Sequence, residues 1–336
     1  MKIFLDSLDV NLIKKYAEMG LLSGITTNPT FSKRFGMHDD IEMVSKVREA
    51  LGEGEIHVEA FGDTKDEIIK NANRLLEKTN DSNLVFKIPF SEQGISACRE
   101  LVVGGIKTNL HLIYSINQAI LAAAIKSTYI CPLVGRLDDT GHDAMENVKN
   151  IKEAFKMNSD STLIMVSSVR HPQHVLKAYM YGADVVTIPP NVLSQMFYHP
   201  LTDTGVYTFK NDIEAIKPIS AKTINPNLVV NEHDTIHQCL SLMAMHKSGA
   251  VAVCSGSTRL AGVFTAGDLK RLVQKNVRFD GNDEIGKFMN KNPISIDINE
   301  TVSKAKELMQ QFNIDQLVVV DNESVVGILD IKEVSF

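Results

Sequence analysis

The chain has 336 residues, 44% of them hydrophobic, and a net charge of −6. That length suits two domains, or one large barrel with an appendage, and the apolar share suffices for a sizeable core. The negative balance excludes the basic footprint of a nucleic-acid binder and leaves no polybasic stretch for a membrane surface.

The N-terminus, MKIFLDSLDV, carries acids inside its first apolar run and does not read as a signal peptide. No stretch approaches the ~18 apolar residues of a bilayer span. Cys98, Cys131, Cys239 and Cys254 are scattered without a C-x-x-C pair. That suits free thiols in a reducing cytoplasm rather than a disulfide framework or a zinc site.

The first two-thirds alternate between β-rich runs and helical patterns. The runs predict strands near 3–6, 24–28, 56–61, 84–89, 106–113, 129–134, 162–169 and 185–189. Helical patterns between them, such as DTKDEIIKNANRLLEK and SEQGISACRELVVG, open on Asp or Ser, and several end in Gly, as caps require. About eight βα units in roughly 200 residues predict a (β/α)₈ TIM barrel over residues 1–215. Continuous apolar strands fit a sheet covered by helices. The stretch from about Phe209 to Thr223 reads as a last helix and then a linker, 216–224, punctuated by Pro218 and Pro226.

Beyond it lies an internal repeat. Asp234 pairs with Glu300, Thr235 with Thr301, Val251 with Leu317 and Gly262 with Gly327. The offset is about 65 residues, longer than solenoid periods, and only two copies exist, so a paired α+β module is expected over 225–336 (about 225–280 and 285–336).

Chemistry in such a barrel collects at the C-terminal strand ends. Lys87 lies in the apolar run LVFKIPF. Burial disfavours an ammonium, and a neutral amine can form an imine with a ketone; the bland alternative is a lysine that snorkels to solvent. Asp6, Asn28, Glu59, Asn109, His111, Arg136, Ser168 and Arg170 fall at the same ends. Singly, Asp6 reads as a helix cap, Thr26, Thr27 and Asn28 as a turn, and the arginines as solvated charges. Jointly, several charged groups at one mouth call for a purpose. His171 and His174 in HPQH, and His142, lack further ligand spacing and read as surface histidines rather than a metal site.

The segments FLDS, GITTNPT, the strand around Lys87, SEQGISA, GIKTNL, PLVGRLDD and VSSVR resemble, in order, the transaldolase family, in particular its short-subunit branch that includes fructose-6-phosphate aldolase. The resemblance implies that Lys87 forms the Schiff base and that Asp6 exchanges the proton of the substrate hydroxyl beside the breaking bond. It implies that Glu59 works through a water as acid and base. Asn28, Thr26, Asn109 and Ser168 would contact the ketose, and Arg136 and Arg170 its phosphate, a role that guanidinium forks suit. It needs no cofactor, because the protonated imine is the electron sink. His111 stands where the family has a water-holding threonine, and Leu133 where it has Phe or Tyr; His111 can take over the threonine's part or crowd the pocket.

The repeat resembles a pair of CBS motifs. Gly262, Thr265 and Asp268 in GVFTAGD match the element that in the family contacts phosphate and ribose of an adenine nucleotide; Gly327, Asp330 and Glu333 in the second copy put an acid where a hydroxyl is expected. A purely structural tandem is the other reading. Together the resemblances imply sugar-phosphate partners, an adenine nucleotide at the first copy, no nucleic acid or membrane, and a homo-oligomer. The expected activity is transfer of a dihydroxyacetone unit from a ketose phosphate to an aldose phosphate. Its alternatives are an aldolase for a modified sugar and an impaired barrel serving as a CBS-regulated binding protein.

Overall fold

The computed structural model describes residues 1–334, so the last two positions of the expected second repeat lie outside the described residues. Two compact units divide the chain, Met1–Tyr198 and His199 onward. In the first, eight parallel strands close a barrel: β1 (Lys2–Asp6), β2 (Gly24–Thr26), β3 (Glu55–Glu59), β4 (Leu84–Pro89), β5 (Thr108–Ile113), β6 (Tyr129–Pro132), β7 (Leu163–Val166) and β8 (Val185–Ile188). Each falls within or at the edge of a predicted run. The runs around 24–28 and 162–169 end early for local reasons. Asn28 leaves the strand to cap the helix Pro29–Phe35, and Ser168 turns the backbone to φ 58°.

Period-two alternation sorts the strands. Ile56 and Val58, Phe86 and Ile88, and Leu110 point outward into the layer shared with the helices, which forms the main core. Phe4, Val85, Tyr129, Cys131, Met165 and Val185 fill the barrel interior. Gly24 is glycine because Phe4 occupies its side-chain space: a Cβ there would stand 2.5 Å from the Phe4 ring and 2.4 Å from the Glu55 carbonyl oxygen. The outer helices are held at their starts by side-chain caps. Thr64 with Glu67 and Ser115 with Gln118 form capping boxes, and Asp9, Ser91 and Asp143 cap singly.

The interior also holds a buried polar cluster. The ring of His57, fully buried, presents Nε2 to Glu55 Oε2 at 3.5 Å, while Glu55 accepts from Lys107 Nζ at 2.6 Å and Tyr129 Oη at 2.7 Å. Facing a carboxylate, Nε2 carries the proton, so Nδ1 accepts from Asn109 Nδ2 at 3.0 Å.

In the second unit six strands, β9 (Val229–Asn231), β10 (Ala250–Ser255), β11 (Arg259–Thr265), β12 (Ser295–Asp297), β13 (Gln316–Asp321) and β14 (Ser324–Asp330), form one sheet. Their spatial order is β12-β13-β14-β11-β10-β9. Each copy contributes a parallel pair and an antiparallel hairpin, and the copies join where Arg259 pairs with Ser324. The last predicted helix begins earlier than read, at Pro200, and runs to Ile216 within this unit. Residues 216–224, read as a linker, are packed rather than free: Ile219 is fully buried and donates its N–H to the Glu300 carbonyl at 2.8 Å.

Candidate active site

A cavity of about 690 Å³ opens at the C-terminal ends of the barrel strands. Asp6, Thr26, Asn28, Glu59, Lys87, His111, Arg136, Ser168 and Arg170 line it, so nine of the ten barrel residues singled out in the sequence converge there. Asn109 is the exception. It is fully buried, its amide nitrogen donates to His57 and to Met165 Sδ at 3.4 Å, and its Oδ1 has no partner among the described residues.

Lys87 is 7% exposed, and its Nζ donates to the Thr27 carbonyl at 2.8 Å and lies 3.4 Å from Glu59 Oε2. The snorkelling alternative fails on this geometry. Burial pushes the Glu59 carboxyl up, but Lys87 and His111 together outweigh it and hold the group ionised below its usual range. His111 Nε2 abuts Glu59 Oε1. Burial, joined by Lys87 and Arg136, favours the neutral imidazole over the pull of Glu59; Nε2 faces the carboxylate but makes no hydrogen bond among the described residues.

A β-bulge sets the His111 ring. The register between β5 and β6 shifts between His111 and Ile113, and Leu112 between them takes φ 60°, uncommon for leucine. Leu112 and Ser168 thus both line the cavity in left-handed backbone, where strain concentrates at working sites.

Asp6 is partly buried, and desolvation raises its pKa against the opposing Thr26 hydroxyl and Lys87. Thr26 Oγ1 donates to Asp6 at 2.7 Å and lies 2.5 Å from Thr187 Oγ1. One hydroxyl proton serves Asp6, so the Thr187 hydroxyl must donate to Thr26. Thr26 thus lines the cavity while giving its hydroxyl proton to Asp6. Thr187 was missed in the sequence, although alternation along β8 puts it on the inward face. Asn28 Oδ1 accepts from Phe31 N at 3.0 Å, which turns its amide NH₂ toward the cavity. Cys131 also lines the cavity, where burial pushes its thiol up to about 11 and so keeps it a poor nucleophile. Leu133, buried, also lines the cavity.

At the rim, Arg136 extends from the helix Val134–Asp138, and Arg170 from the loop after β7. Arg170 Nη2 pairs with Asp139 Oδ2 at 2.9 Å. His174, read as a surface residue, is 4% exposed.

In the second unit Asp268 is occupied by its own helix. Its Oδ2 accepts from Thr265 N at 2.9 Å and Thr265 Oγ1 at 2.7 Å in a capping box, and Arg271 sits against Oδ1. Gly262 lies under the chain at Met289 and Asn290, 2.6 Å from the Asn290 carbonyl oxygen to a Cβ placed there. In the second copy Asp330 accepts from Lys332 N and Gln316 Nε2.

The pattern of the transaldolase/fructose-6-phosphate aldolase family matches residues 3–241, and that of the CBS domain matches residues 219–275 and 285–335. A probable transaldolase of Nitrosopumilus maritimus is 42% identical over 220 residues, 65% of this chain and 96% of that relative. One of Moorella thermoacetica is 41% identical over 217 residues, 65% of this chain and 99% of the relative. Among solved structures, a CBS domain protein from Pyrobaculum aerophilum complexed with AMP aligns at TM-score 0.33 and 25% identity, over 36% of this chain and 92% of that one. The chain therefore belongs to the transaldolase/fructose-6-phosphate aldolase family, as a Schiff-base transferase barrel followed in sequence by a CBS domain pair.

Proposed function

We propose that the barrel transfers a dihydroxyacetone unit from a ketose phosphate to an aldose phosphate through an imine on Lys87. The observation that carries this reading is a buried amine 3.4 Å from the Glu59 carboxylate, at the floor of a cavity rimmed by two arginines.

In this cycle Lys87 first passes one proton to Glu59, and the freed amine attacks the ketone carbon. A second proton moves from the attacking nitrogen to the ketone oxygen, Glu59 gives its proton to the resulting hydroxyl, water leaves, and a protonated imine forms. His111 takes the threonine's part, its Nε2 beside the Glu59 carboxylate. Asp6 then accepts the C4 hydroxyl proton. The electron pair of the C3–C4 bond moves into the imine, which leaves an enamine on Lys87 and frees an aldehyde. An acceptor aldehyde runs these steps backward, and water activated by Glu59 hydrolyses the last imine. Asn28 and Ser168 hold ketose hydroxyls. Arg136 and Arg170 hold the phosphate, for which Arg170 gives up Asp139. Thr26 and Asn109 act one step away, Thr26 through Asp6 and Asn109 beneath the cavity floor.

The test is borohydride treatment with fructose 6-phosphate followed by peptide mass spectrometry. Label on Lys87, absent in Lys87→Met, supports the cycle; label on another residue overturns it. Release of glyceraldehyde 3-phosphate only when erythrose 4-phosphate is added marks a transferase, and release without acceptor marks an aldolase. No label from any ketose leaves the binding-protein alternative.

For the CBS pair we propose an adenine nucleotide at Gly262, Thr265 and Asp268, next to the N-terminus of the helix Ala266–Gln274, which favours anions. Thermal shifts with AMP or ATP that vanish in Asp268→Ala support it; no shift with either leaves the tandem structural.

A further inference from the structure

We propose that His174 is a buckle that ties the loop after β6 to the loop after β7, and thereby positions both guanidinium arms and sets the preference for phosphorylated over unphosphorylated sugars. This rests on Arg136 and Arg170 being the phosphate arms.

The ring spans two elements. From the helix Pro172–Met180 its Nδ1 accepts the backbone N–H of Arg170 at 3.3 Å. Its Nε2 lies 2.9 Å from Asp138 Oδ2, at the end of the helix that carries Arg136. A backbone N–H only donates, so Nδ1 holds no proton and Nε2–H donates to Asp138. Only the neutral ring makes both bonds at once. Burial, with His171 and Lys177, favours that form against the pull of Asp138. Asp138 is itself anchored, because its Oδ1 accepts the first N–H of the helix Ala144–Met157 at 3.0 Å.

The two loops are also fitted backbone to backbone. Val134 N donates to Ser167 O and Gly135 N to Ser168 O, each at 3.0 Å. The side chain of Arg170 lies across Gly135, where a Cβ would come within 2.5 Å of its Nε and 2.2 Å of the Ser168 carbonyl oxygen. The stem of one arm thus rests on the residue before the other arm. A shift of either loop moves both guanidinium groups, and beside the exposed Arg170–Asp139 pair, His174 is a buried side chain that bonds both loops away from the cavity lining. It stands outside the cavity lining and touches no reacting atom, so it is a positioning residue.

The experiment uses the full chain. Wild type is first trapped with borohydride and dihydroxyacetone, a ketone without phosphate; failure to label Lys87 defeats the imine reading itself, before any His174 variant is read. His174→Phe is then expected to raise KM for fructose 6-phosphate about tenfold with kcat within about threefold, and to leave the dihydroxyacetone trapping rate unchanged. Inorganic phosphate should inhibit this variant about tenfold more weakly. His174→Asn keeps an acceptor near the Nδ1 position and should restore KM to within about threefold of wild type. Equal loss with phosphorylated and unphosphorylated ketones, or an unchanged KM, overturns the proposal. If His174→Phe does not fold, His174→Asn is compared with His174→Gln, which keeps the donor to Asp138 but loses the acceptor; equal KM values for the pair overturn it.

Discussion

Glu59 Oε2 and Lys87 Nζ lie 3.4 Å apart on adjacent parallel strands in which the two residues are register partners. Register alone brings them side by side, because residues paired across parallel strands point to the same face. Each charge would be costly to bury alone, and side by side the two compensate one another. Glu59→Gln keeps the shape and removes the proton acceptor. It is expected to lower kcat and the imine-trapping rate together by about 10²–10⁴-fold, with label still found on Lys87. Single-turnover trapping followed by mass spectrometry checks this; an unchanged trapping rate would remove Glu59 from imine formation.

Asp6 must be ionised to take the C4 hydroxyl proton. Burial raises its pKa, so the acid limb of kcat should lie above the ordinary carboxylate range. The Thr187-to-Thr26 chain favours the charged form by feeding a hydroxyl proton to Asp6. Thr187→Val deprives Thr26 of its donor, and Thr26→Val deprives Asp6 directly. Both should move the acid limb to higher pH, Thr26→Val further. Asp6→Asn should stop bond cleavage and still allow trapping of the ketose on Lys87. A pH–rate profile that stays put in Thr26→Val would break the link.

His57 is held neutral inside the barrel, its pKa pulled down from 6.5 to about 4 by burial against the attraction of Glu55. Between those values the unfolded chain binds a proton that the folded barrel refuses. Stability therefore rises with pH through this window and is eroded as pH falls. His57→Leu should flatten that dependence in urea denaturation. At neutral pH it should cost about 1–3 kcal/mol, because Asn109 and Glu55 lose a partner. An unaltered slope would show that another group governs the acid side.

Gly24 faces the ring of Phe4 and the Glu55 carbonyl with no room for a methyl group. Gly24→Ala should destabilise the barrel by about 1–3 kcal/mol through overpacking. The double variant Gly24→Ala with Phe4→Leu should recover part of that loss, measured by denaturation midpoints; a fully additive pair would argue that the clash lies with the backbone of β3 alone.

The strands were legible because apolar runs bounded by turn residues recur eight times; in the structure period-two alternation sets which side chains face inward. Asp6, Glu59 and Lys87 were legible as charged residues late in such strands. Asn109 obeyed the same alternation, yet its amide is drawn down to His57, a partner no spacing announces. His174 sat in a helical pattern without an apolar stripe strong enough to mark it as buried; its ring lies buried between the Arg170 N–H and the Asp138 carboxylate. The helix Pro200–Ile216 continued the rhythm of the barrel in sequence, and only spatial contacts place it in the second unit.

By itself the sequence determined the kinds of side chain available at the barrel mouth and the repeat that follows, since periodicity and composition are local properties of a chain. The tertiary structure alone decided which group each side chain serves. Thr26 and Thr187 are 161 residues apart and become hydrogen-bonded only because β1 pairs with β8 to close the barrel. Hydrogen bonds act over about 3 Å, so the partner of a buried hydroxyl, and with it the ionisation of Asp6, is fixed by closure rather than by position along the chain.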